Sequence, residues 1–167
     1  LAVNKIGRAD LTRGRAMYNK GANQYRQVGA TSEVEGADPH RLIQMLMEGA
    51  LTRMSQAKGM IDEKNYEGKA KLLGRVMEII ATLQSSLDHE KGGDISANLD
   101  RLYDYMNRRL LEASSLNDVS MVDEVMSLLL EIKAGWDGIR DEYLASSGKK
   151  PSEQSIAHKA SMASHSA

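Results

Sequence analysis

The sequence contains no cysteine, which excludes disulfides, thiolate metal sites and cysteine nucleophiles. It has no phenylalanine, one tryptophan, six tyrosines and only two prolines. Sheets draw heavily on aromatic and β-branched side chains, so this poverty argues against a β protein. No apolar run approaches the roughly 20 residues that cross a bilayer, so no stable membrane insertion is expected. The N-terminus lacks a continuous apolar signal region, and a cytosolic protein is the default expectation. A net charge of −1 gives no reason to expect a nucleic-acid partner. What the chain does have is abundant Ala, Leu, Glu, Lys and Arg and ten Met, the composition of a helical protein. Its 167 residues suffice for one domain with a real core.

The charge is unevenly spread. Residues 1–16 carry Lys5, Arg8, Arg13 and Arg15 against Asp10, and residues 144–167 carry Lys149, Lys150 and Lys159 against Glu153. Both ends are therefore basic and the body between them is acidic. Met17-Tyr18-Asn19-Lys20 reads as a natural start, so residues 1–16 are expected to be a disordered extension or an artificial remnant. Residues 145–167, mostly Ala, Ser, Lys and His, are expected to form a disordered tail. The folded domain is thus expected over residues 17–144.

Four helical patterns fill that span. The first begins at Asp38-Pro39, a capping residue followed by proline at the first helical position. Its apolar stripe is Ile43, Leu46, Ala50, Met54, Ala57 and Ile61. The second starts near Asn65, runs through Leu73, Val76, Ile80, Leu83 and Leu87, and is expected to stop at Gly92-Gly93. The third starts near Asp94 or Ser96 and follows Leu99, Leu102, Met106, Leu110 and Ala113. The fourth starts near Asp118 or Ser120 and follows Val122, Val125, Leu129, Ile132, Trp136, Ile139 and Tyr143. Steps of three and four are the seam of packed helices. Links of a few residues force neighbours to run antiparallel, so the predicted fold is all-α, an up-down-up-down four-helix bundle. An N-terminal arm or short helix carrying Tyr18, Tyr25 and Val28 precedes it.

Enzyme chemistry finds no support. The histidines are His40, His89, His158 and His165, and none follows a glutamate at the Glu-x-x-His spacing of di-iron bundles. Phosphate-loop, dinucleotide and nucleophile-elbow motifs are missing. Asp88-His89-Glu90 could serve acid–base work, but a solvated helix end explains it better. No enzyme activity, cofactor or metal is therefore expected.

The seams leave apolar residues over. Leu42, Met45, Met47 and Leu51 flank the first stripe, Leu72, Met77 and Ile79 the second, and Ile95, Tyr103, Tyr105 and Leu111 the third. Much of this surplus belongs to a widened core face. Its size also suggests a groove that accepts an amphipathic segment, with adaptable methionines nearby. Tyr103 and Tyr105 are expected at the groove rim, where a ring meets cargo and a hydroxyl stays wet. Trp136, in the middle of the fourth seam, is expected to be mostly buried.

Several ordered segments resemble the flagellar secretion chaperone (FliS) family. Tyr25-Arg26-Gln27-Val28 is similar to its Tyr-x-x-Val element, and Asp38-Pro39-His40-Arg41-Leu42-Ile43-Gln44-Met45-Leu46 to its Ser-Pro-His-x-Leu-Ile-x-Met-Leu helix start. Leu87-Asp88-His89-Glu90-Lys91-Gly92-Gly93-Asp94-Ile95 resembles its Leu-Asp-x-Glu-x-Gly-Gly-Glu-Ile connector. Asn98-Leu99-Asp100-Arg101-Leu102-Tyr103-Asp104-Tyr105-Met106 resembles its Asn-Leu-x-x-Leu-Tyr-x-Tyr-Met stretch, and Ala134-Gly135-Trp136 closes the match. Asp38 replaces the family's serine and caps a helix equally well.

The resemblance implies an antiparallel four-helix bundle. It also implies a cytosolic chaperone that covers the amphipathic C-terminal segment of flagellin, blocks premature polymerisation and delivers the cargo to an export-gate component of the flagellar secretion apparatus. Candidate flagellin-binding residues are Tyr25, Val28, Leu42, Met45, Ile95, Leu99, Tyr103 and Tyr105. The arm with Tyr25 would occupy a groove pocket until cargo displaces it, or dock on the export gate. The rival readings are a generic helical adaptor, such as one binding a regulator of flagellin synthesis, and a bundle enzyme or metal protein.

Overall fold

Each long helix begins where a short polar side chain can accept backbone N–H groups. Residues 31–148 are described by the computed structural model, and Tyr25 and Val28 lie outside them. Within that span the helices are α1 (Thr31–Gly36), α2 (Pro39–Asp62), α3 (Tyr66–Ser85), α4 (His89–Leu116), α5 (Val119–Gly138) and α6 (Arg140–Ser146). Asp38 is extended and accepts from the Arg41 N–H at 2.8 Å, with Pro39 in the first turn. Asn65 accepts from the Gly68 N–H at 2.9 Å, Asp88 from Glu90 and Lys91 at 3.1 and 2.9 Å, and Asp118 from Ser120 at 2.9 Å. Such caps contribute about 1 kcal/mol each relative to alanine.

The four long helices form the predicted bundle, with α2 packing on α3 and α5, and α4 packing on the same two. The core holds Leu46, Ala50, Met54 and Ala57 of α2, Leu73, Val76, Ile80 and Leu83 of α3, Met106, Leu110 and Ala113 of α4, and Val122, Val125 and Leu129 of α5. At the far end of α4, Asn117 adopts the left-handed conformation (φ 52°, ψ 41°), which its short polar side chain tolerates. The buried Lys69 ammonium donates to the Ser114 carbonyl and the Asn117 side chain, each at 2.6 Å, and so satisfies the last turn of α4.

Three local expectations change. The second long helix ends at Ser85 rather than at Gly92-Gly93, because Asp88 captures the N–H groups of a new helix before the glycines are reached. Gly93, at φ 49° and ψ −124°, is then a kink inside α4 instead of a loop. Gly92 is needed for space, since a Cβ there would stand 1.8 Å from the Ser96 hydroxyl oxygen. The buried seam of α4 passes through Tyr103 rather than Leu102; both fit between Leu99 and Met106, and only packing against the other helices distinguishes them. Finally, the fourth pattern, expected to run unbroken through Tyr143, is interrupted at Ile139, and a separate α6 continues to Ser146 and buries Leu144.

Candidate functional site

All four apolar stripes lose their cover at the same end of the bundle. Ile43 at the start of α2, Leu87 after α3, Leu99 near the start of α4, and Ile132 and Trp136 near the end of α5 are only partly buried. Ile95, one turn before Leu99, is 71% exposed. The antiparallel order brings these helix ends together. They surround an open cavity of about 580 Å³ lined by Leu42, Ile43 and Met47 of α2, Leu83 of α3, Leu87 of the link, Ile95, Leu99 and Tyr103 of α4, Ile132 and Trp136 of α5, and Tyr143 of α6. Hydrophobic side chains that continue a helix seam without a partner can take up another amphipathic helix.

One corner of this groove is aromatic. The His40 and Trp136 rings stack with centroids 4.6 Å apart, and Tyr143 lies 5.3 Å from His40. The indole N–H donates to the His40 carbonyl at 3.0 Å, while His40 Nε2 lies 2.7 Å from the Trp136 carbonyl. Arg140 makes a two-pronged pair with the Asp38 carboxylate, at 3.2 and 3.0 Å, and reaches His40 Nδ1 at 3.1 Å. Burial is the main cause that lowers the His40 pKa below its usual 6.5, and the Arg140 charge adds to it against the opposing hydrogen bond to Trp136. Beside the corner, Asp137 accepts from Gln44 and Lys133 at 2.6 Å each. Burial opposes ionisation of Asp137, but those bonds together outweigh it and hold its pKa low.

The residues proposed from the sequence divide between the groove and other faces. Leu42, Ile95, Leu99 and Tyr103 line the groove. Tyr103 is 3% exposed and so forms its floor rather than its rim. Met45 is buried but does not line the groove. Tyr105 bonds to Glu124 of α5, which also pairs with Arg109 at 2.6 Å, and it lies outside the lining. Trp136 is mostly buried against the core, and the part left open walls the groove. His40 and Tyr143 are site residues that the sequence reading misses. His40 lies about a hundred positions from Trp136, Arg140 and Tyr143, and no local pattern signals such a pairing. Among the described residues no group of three or more His, Asp or Glu is placed to hold a metal ion.

An apolar groove open at one end of a helical bundle and walled by aromatic side chains is the class of surface into which amphipathic helices can dock. The family model for "Flagellar protein FliS" matches residues 21–143. The chain is 50% identical over 120 residues to the flagellar secretion chaperone FliSB of Pseudomonas aeruginosa, covering 72% of this chain and 95% of that protein. It is 42% identical over 119 residues to the flagellar secretion chaperone FliS of Vibrio cholerae (71% and 88%) and 41% identical over 125 residues to that of Salmonella typhimurium (74% and 93%). The chain belongs to the FliS family, a family of chaperones rather than enzymes. No helix among the described residues is long and apolar enough to cross a membrane.

Proposed function

We propose that this chain is a cytosolic export chaperone for flagellin. Four helix stripes that lose their cover together at one end are the observation that carries this reading. Flagellin's C-terminal segment is an amphipathic chain that finds its coiled-coil partners only in the filament. Held in the groove, its apolar face is covered and it cannot polymerise prematurely. Burial supplies the affinity, so no nucleotide is consumed. An interface of standard size, about 1,600 Å² in total, reaches micromolar to nanomolar affinity after ordering losses. Leu42, Ile95, Leu99 and Tyr103 contact the cargo in this reading. The loaded chaperone delivers its cargo to the export gate.

Calorimetric titration of the full chain with a peptide of the flagellin C-terminal segment tests this. A one-to-one complex with micromolar or tighter affinity and a negative heat-capacity change is expected. Absence of binding at about 100 μM peptide to folded protein would refute the reading.

A further inference from the structure

The aromatic corner of the groove is satisfied by one protonation state of His40. The Trp136 carbonyl can only accept, so Nε2, 2.7 Å away, carries the hydrogen. The Arg140 guanidinium can only donate, so Nδ1, 3.1 Å away, offers its lone pair. A proton at Nδ1 would turn N–H toward N–H and set two cations in contact around a side chain that is 1% exposed. The charged and titratable groups around the corner are Asp38 at the start of α2, Asp137 and Lys133 on α5, and Arg140 and Tyr143 on α6. Asp88 and Lys91 line the same groove from the link and α4. The two nearest carboxylates favour an imidazolium, but both are engaged: Asp38 by Arg140, and Asp137 by Gln44 and Lys133. The seven-residue α6 is tied to α2 at this corner, through the Arg140–Asp38 pair and the contact of Tyr143 with His40.

We propose that His40 is a proton-sensitive latch of the groove: neutral, it locks Trp136 and Arg140 together, and protonation at Nδ1 releases α6 with Tyr143 and weakens capture of the cargo helix. The cargo arm of this inference rests on the flagellin reading; the latch itself does not. Because the folded protein lowers the His40 pKa, the unfolded chain binds the proton more readily. The latch is therefore fully engaged above pH 6.5 and is lost as the pH falls from there through the lowered folded-state value.

Trp136 is the sole tryptophan and stacks on His40, so its emission reports the latch without cargo. In the full chain the emission should fall in one step below pH 6.5, since an imidazolium against an indole face quenches it. The step should vanish in His40→Gln. In Arg140→Gln, which removes the repelling cation, its midpoint should move to higher pH. A His-free peptide of the flagellin C-terminal segment should bind wild type with constant affinity above the emission midpoint and progressively more weakly as the pH falls below it, while His40→Gln changes by less than about twofold over the same range. An emission that does not titrate, an unmoved midpoint in Arg140→Gln, or equal wild-type affinity above and below the emission midpoint overturns the latch. A peptide that binds at neither pH overturns the flagellin reading instead, and the emission step and its Arg140→Gln shift then decide the latch.

Discussion

Ile95 and Leu111 lie on the same helix and are exposed to similar extents, 71% and 63%, but only Ile95 lines the groove. Replacing each with alanine separates cargo contact from fold support. In the free protein neither side chain contributes much burial, and alanine is the better helix former by a few tenths of a kcal/mol. Both variants should therefore melt within a few degrees of wild type. On cargo binding the exposed part of Ile95 becomes buried. Truncation to alanine removes three carbons, each worth about 0.8 kcal/mol when fully covered. Scaled by the 71% that is still open, the loss is about 1.7 kcal/mol, or nearly twentyfold in affinity. Leu111→Ala should bind within about twofold of wild type, as a surface substitution outside the contact does. Calorimetry with the flagellin C-terminal peptide, beside thermal unfolding of the free proteins, reads both quantities. Equal losses in the two variants, or no loss in Ile95→Ala, would show that cargo does not use this groove.

Trp136→Ala removes a mostly buried ring, its stack on His40 and one hydrogen bond, and should reduce unfolding free energy by about 2–3 kcal/mol in urea titration. A loss below about 1 kcal/mol would mean that the corner adds nothing to the fold. Burial pushes the Tyr103 phenol up to about 12, so its contribution to stability is full below pH 10 and lost as the pH rises toward 12. Ultraviolet titration should lose its component near pH 12 in Tyr103→Phe; unchanged titration of that variant would contradict the burial. Lys69→Ala leaves the Ser114 carbonyl and the Asn117 side chain without their charged donor and should destabilise by about 2 kcal/mol, with early exchange of the amides near the end of α4. Normal protection there would show that water replaces the ammonium freely.

Helix identity was legible because it is local. Asp38-Pro39, Asn65 and Asp118 announce their helices within four residues, and steps of three and four mark each buried stripe. The resemblance to the family rests on equally local motifs, and the match over residues 21–143 agrees with it. The link between α3 and α4 was harder, since Asp88 and the Gly92-Gly93 pair both interrupt a helix. The earlier break won because Asp88 supplies two hydrogen bonds to the new N-terminus.

Whether a stripe residue is core or groove was not legible, because the stripe has the same period in both settings. Leu129 and Trp136 sit one heptad apart on α5, yet Leu129 is fully buried and Trp136 keeps an open edge in the groove. Leu102 and Tyr103 compete for one seam position, and only the rotation of α4 against its neighbours selects Tyr103. The pairing of His40 with Trp136 and Arg140 joins residues about a hundred positions apart and carries no local trace. The amino-acid order by itself therefore determined which segments are helices, which way they run and which face of each is apolar. Tertiary structure decided where those faces run out of partners, because the relative placement of helix ends depends on packing summed over all four helices and not on any one of them.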